Sequence, residues 1–134
     1  MKTKPVLELA DARKIAAAAE AEAASNKWVV AISIVDDGGQ AVLLQRMDGA
    51  PPNAARIAEA KAHTSALGRR DSAMYEQMIN GGRTAFLSAG IEGMLEGGVQ
   101  ILQDGQCVGA IGVSGVKPAE DAQIARTGAT ALAG

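Results

Sequence analysis

Aromatic side chains are almost missing from this sequence: Trp28, Tyr75 and Phe86 are the only three in 134 residues. Alanine supplies much of the 48% hydrophobic content, and it buries little area per residue, so one copy has a thin core for its length. Such a chain gains from covering a further face with another copy, and we expect a homo-oligomer. Cysteine is limited to Cys107, which excludes an internal disulfide, and histidine to His63. One His and one Cys, 44 positions apart, match no zinc spacing, since a structural site needs about four ligands. No charge sign dominates either: 13 Lys and Arg stand against 15 Asp and Glu, interleaved along the chain, for a net charge of -2. Without a basic arm or stripe there is no surface for nucleic acid or an anionic membrane. No apolar run approaches the roughly 18 residues of a membrane span, and MKTKPVLELADARK lacks the apolar segment of a signal peptide. The chain reads as one cytoplasmic domain, residues 1–134.

The stretch from Leu9 to Asn26 is Ala-rich with interspersed charges, the pattern of a helix that Asn26 can stop. WVVAISIVDD and AVLLQRMDG flank the turn signal DDGGQ and predict a hairpin over residues 28–48. APP at 50–52 breaks the chain, Asn53 can cap the helix NAARIAEAKAHTSALG, and Gly68 ends it. Ala54, Ile57, Ala58, Ala62 and Ala66 give that helix an inner face, which places His63 beside it and Lys61 elsewhere. SAMYEQMIN follows as a shorter helix capped by Asp71, and the Gly-punctuated stretch after it holds a weak strand around Phe86. GVQILQDGQCVGAIGV predicts a second hairpin around Asp104-Gly105, and Pro118 opens a last helix, PAEDAQIARTGATALA. ISIV and VGAIGV are apolar on both faces and need cover on both sides, so an antiparallel sheet with helices on each face follows.

Chemistry-bearing residues are few. GAIGVSGVKP, residues 109–118, leads from a strand into a helix and could cradle an anion on backbone N–H groups, or simply let a helix approach the strand. It is neither a Walker loop nor GxGxxG at a first strand. Cys107 lies on an apolar strand, where an inert buried thiol is usual. The two Asp of DDGG read as solvated turn charges, whereas Arg46, ending an apolar strand just before Asp48, could hold a carboxylate. His63 could be a bystander, an axial ligand to a haem-type iron or an acid-base group.

Four blocks in order, LADARKIAAAAEAEA, VVAISIVDDGGQAVLLQRMDGAPP, IAEAKAHTSALGR and GGVQILQDGQCVGAIGVSGVKPAEDAQIA, resemble the GlcG/HbpS family of haem-degrading (DUF336) proteins, which includes the C-terminal domain of PduO-type proteins. The resemblance spans nearly the whole chain and is weakest between Asp71 and Glu96. It implies a profilin-like α-β-α fold with a five-stranded antiparallel sheet, oligomers that are often octamers, and binding of haem or related tetrapyrroles. Lys61, Thr64, Arg46, Asp48, Gly112, Ser114 and Gly115 match the shared pattern and are candidates for a family-wide pocket. The position of His63 is commonly held by other residues in that family, which makes His63 this chain's own addition.

Two functions fit these residues. In the first, the protein binds haem or a corrinoid in an apolar slot beside the second helix. His63 would be the axial metal ligand, Arg69 or Arg70 would meet the propionates, and Met74, Met78 and Met94 would partly replace the missing aromatic surface. In the second, it is a small lyase or isomerase of a catabolic pathway, working on a carboxylated metabolite without a redox cofactor. Arg46 or Lys61 would then anchor the carboxylate, the Gly112 to Gly115 loop would bind a developing oxyanion, and His63 would move the proton. A third expectation is an accessory protein that stabilises a partner enzyme.

Overall fold

The computed structural model describes residues 1–132. Along the chain come helix α1 (Leu9–Ser25), strands β1 (Ala31–Asp36) and β2 (Ala41–Arg46), helices α2 (Asn53–Gly68) and α3 (Ser72–Asn80), a 3-10 helix (Thr84–Ala89), strands β3 (Gly98–Gln103) and β4 (Gln106–Ser114), and helix α4 (Pro118–Ala129). Both hairpins form where the β-branched runs and turn signals place them. The strands pair in the order β2-β1-β4-β3, every neighbour antiparallel.

Two expectations about the elements are corrected. The sheet has four strands among the described residues, not five, because the stretch around Phe86 coils into the 3-10 helix. Gly82 and Gly90 bracket that stretch with positive φ angles of 114° and 70°, and the Phe86 ring stacks on Tyr75 at 5.5 Å instead of facing a strand. The last helix stops at Ala129, short of its expected reach to residue 133, which lies outside the described residues.

The sheet's two faces differ in residue size. Ile32 and Ile34 of β1 and Ile111 and Val113 of β4 point to one side, where they meet Ile15 of α1 and Ile124 of α4 in the main core. The alternate positions are small: Ala31 packs with Ala54 and Ala58, and Val35 and Ala110 pack with Ala62 and Ala66 of α2. Small residues on both partners let α2 settle almost onto the backbone of the sheet. A Cβ on Gly112 would collide with the Ala58 carbonyl oxygen, and one on Gly98, its partner in β3, with that of Lys61. Close approach recovers by dispersion contacts part of what alanine forfeits in area.

The buried arc of α2 includes Ala54, Ala58, Lys61, Ala62 and Ser65, so Lys61 points into the molecule and His63 points out, the reverse of the expected placement. Lys61, 4% exposed, donates to the Val113 carbonyl at 2.9 Å and pairs with Asp121 of α4 at 3.1 Å. The other Asp121 oxygen accepts the Val116 N–H at 3.1 Å. A helix on one face of the sheet is thereby tied to a helix on the other, past the end of β4. Burial pushes the Asp121 carboxyl above its usual range, while the Lys61 ammonium and the Val116 N–H pull it partly back.

Substituting Gly112→Ala should destabilise by about 3 kcal/mol, the upper end for overpacking, because the new methyl group meets helix backbone and not a movable side chain. Breaking the ion pair singly, with Lys61→Met or Asp121→Leu, should cost about 3–5 kcal/mol, whereas the double substitution should recover most of it. Denaturant titration of the four proteins checks this, and additive losses would refute the coupling. Since the folded Asp121 binds its proton more tightly than the unfolded chain does, this group's contribution to stability declines as pH rises from below the ordinary carboxylate value through the raised one; Asp121→Asn should remove that slope.

Candidate functional site

Every third or fourth residue on the outward side of α2, Arg56, Glu59, Ala60, His63 and Leu67, faces a groove of about 840 Å³. Gly39, Gln40 and Ala41 of the β1–β2 turn form one wall, Gly90, Ile91 and Glu92 the other, and Gly68 and Tyr75 close one end. The turn wall is braced from several directions. The Asp36 carboxylate accepts the N–H groups of Gly38 and Gln40 at 3.0 and 2.9 Å. Arg69, in the left-handed conformation at the end of α2, donates to the carbonyls of Asp37 and Ala66. Lys4 pairs with Asp37 at 2.6 Å and holds its carboxyl below the usual range, helped by Arg69. On the other wall the Thr64 hydroxyl donates to the Glu92 carbonyl.

His63 sits at the centre of the groove, with its Nδ1 2.8 Å from the Gly39 carbonyl oxygen. A carbonyl can only accept, so Nδ1 carries the proton and Nε2, when the ring is neutral, is left with a lone pair. Gly39 makes the contact feasible: its φ is 78°, and a Cβ there would lie 2.7 Å from Nδ1. The imidazole is therefore fixed in tautomer and orientation by backbone 24 residues away.

Of the residues singled out from the sequence, the groove gathers His63 and Thr64. Lys61 lies beneath it, its ammonium consumed by Asp121 and Val113. Arg69 braces the turn, and Arg70 lies over the Tyr75 ring at 5.3 Å. Met74 is 52% exposed on α3, Met78 is half-buried, Met94 is buried, and none of the three lines the groove. A second group stands apart. Arg46 and Ser114 both pair with Ala31, which packs under the first turns of α2 at the end of the sheet remote from the Gly39 turn. Asp48 is exposed in the turn after β2, and Gly115 follows β4 with a φ of 143°, where an added Cβ would lie 2.7 Å from the Val29 carbonyl oxygen. Gly112 is roofed by α2, so the Gly112 to Gly115 stretch does not face the imidazole. Cys107 is buried, its thiol 3.3 Å from the Gly109 carbonyl.

Arg56, Glu59, Leu67, Tyr75 and Ile91 were not marked by the sequence motifs. The signal for the first three was present in their helical spacing from His63, once the helix is turned so that His63 faces outward. Among the described residues no three His, Cys, Asp or Glu side chains gather where they could hold a bare metal ion.

Comparison with known proteins gives a consistent result. The family model described as haem degrading protein HbpS-like matches residues 7–130. Protein GlcG of Escherichia coli strain K12 is 51% identical over 114 residues, 85% of each chain. A solved double mutant of HbpS from Streptomyces reticuli is similar with a TM-score of 0.89 and 28% identity, covering 100% of this chain and 92% of that one. A solved complex described as PduOC with haem gives a TM-score of 0.87 and 26% identity, covering 96% of both chains. No helix among the described residues is long and apolar enough to cross a membrane. Four antiparallel strands, the helices packed on them and a family match over nearly the whole length agree, and the chain belongs to the HbpS-like family.

Proposed function

We propose that the protein binds a haem-type tetrapyrrole in the α2 groove, where Nε2 of His63 would be the side-chain nitrogen that holds its iron. The observation that carries this reading is the bond from His63 to the Gly39 carbonyl, which presents an unprotonated ring nitrogen to the groove. A backbone acceptor behind a histidine sets the tautomer and raises the basicity of the free nitrogen, which is what a metal-bound imidazole needs. The groove is of ligand size, and Leu67, Tyr75 and Ile91 offer apolar surface to a macrocycle. A single imidazole would suffice to hold a metal that comes already bound in a macrocycle.

When bound, the group supplies the iron chemistry. The chain's own residues orient and enclose it. Gly39 steers the imidazole, Thr64 keeps the Glu92 wall in place, and Tyr75, buttressed by Phe86 and Arg70, closes the end of the slot. The relative solved with haem supports this reading, as does the haem-degrading description of the family. Leu67, which lines the groove, is 55% accessible and is suited to be covered by a second copy, in keeping with a homo-oligomer. Binding is preferred to turnover of a carboxylated metabolite because Lys61 and Arg46 stand away from His63.

Titration with haemin should give a saturable Soret shift in the wild type. His63→Ala should bind at least roughly tenfold more weakly, with a different bound spectrum, and Gly39→Ala should lose about 10–100-fold through displacement of the ring. A wild type without a saturable shift, or a His63→Ala protein with unchanged midpoint and spectrum, would sink the proposal.

A further inference from the structure

The groove is not uniform along α2. Toward the N-terminal end of the helix it carries charge, Arg56 and then Glu59; past His63 it becomes apolar, with Leu67, Tyr75 and Ile91. Arg56 precedes His63 by seven positions on the same face, which at the helical rise is about 10 Å along the axis. It is the one Lys or Arg among the lining residues, exposed, with no ion pair or hydrogen bond among the described residues. The two arginines nearest the other end are engaged, Arg69 with backbone carbonyls and Arg70 with the Tyr75 ring. The partial positive charge at a helix N-terminus adds to Arg56 at the same end. Glu59, one turn on from Arg56, and Glu92 on the opposite wall are negative, so the Arg56 guanidinium is the one lining side chain that draws an acidic group.

A haem-type ligand has a matching asymmetry: its carboxylates project from one edge and its opposite edge is apolar. We infer that Arg56 receives those carboxylates and so decides which way round the ligand lies, acidic edge toward the start of α2 and apolar edge toward Leu67 and Ile91. This rests on the groove being the tetrapyrrole site, and it assigns to Arg56 a role in positioning and ligand choice that Arg69 and Arg70 are not free to fill. A planar guanidinium suits the task, since it can bind a carboxylate through two parallel hydrogen bonds.

The test compares haemin with its dimethyl ester, which keeps the iron and the ring but removes the negative charges. Wild type should prefer haemin. Arg56→Met should weaken haemin binding by roughly tenfold or more, leave the dimethyl ester within about twofold, and leave the bound Soret maximum where it is, because the iron ligand is untouched. Arg56→Lys should restore part of the preference. Lys14→Glu, an exposed charge change on α1, should leave both affinities unchanged and controls for net charge. Equal losses for the two ligands, no loss for haemin, or an equal effect of Lys14→Glu would overturn the assignment of Arg56 while leaving the haem site standing. Failure of the wild type to bind either ligand would overturn both.

Discussion

Helix α2 rests on the sheet backbone to backbone, at Gly112 and Gly98, and the rest of the molecule is arranged around that contact. An Ala-rich chain cannot fill a wide gap between layers, so the layers must come together instead. Glycine in β4 and β3, alanine and serine in α2, and Ala31 and Ala110 in the sheet are one solution to one steric problem. The branched residues are spent on the other face, where α1 and α4 stand over Ile32, Ile34, Ile111 and Val113. Thin packing on one side and bulky packing on the other explain how so few aromatics suffice.

The same contact sets what each side of α2 can do. With Ala58, Ala62 and Ser65 pressed to the sheet, Lys61 falls inside, where a charge is tolerated only with a partner, and Asp121 arrives from the opposite layer to supply it. His63 falls outside, between two loops held in place by Arg69, Asp36 and Thr64. Structural charge and candidate chemistry thus lie two residues apart in the chain and on different sides of one helix.

Much of this architecture was legible in the residues. Turn signals at DDGGQ and Asp104-Gly105, β-branched runs between them, and breakers at 50–52 and Gly68 located both hairpins and α2 closely. The orientation of α2 was not legible, because an alanine helix has little contrast between faces, and Ile57 drew the apparent inner face toward His63 when the packing contact lies with the smaller residues. The outward place of Arg56 is hidden in the sequence by the same lack of contrast. The strand expected around Phe86 failed differently: one aromatic amid glycines suggests sheet, but its stacking partner Tyr75 sits on a helix, a contact no local pattern reveals.

The bond between Gly39 and His63 has an effect beyond holding a ring still. The imidazole belongs to the helix, yet the proton on it is assigned by a surface turn whose Gly38, Gly39 and Gln40 are, among the described residues, outside the core clusters that hold α2's buried arc. A change in the length or residues of that turn could leave core, ion pair and groove floor intact and still exchange which nitrogen is offered. The reactivity of the groove is therefore adjustable from a part of the chain where the fold tolerates variation, without disturbing the tightly packed helix that carries it.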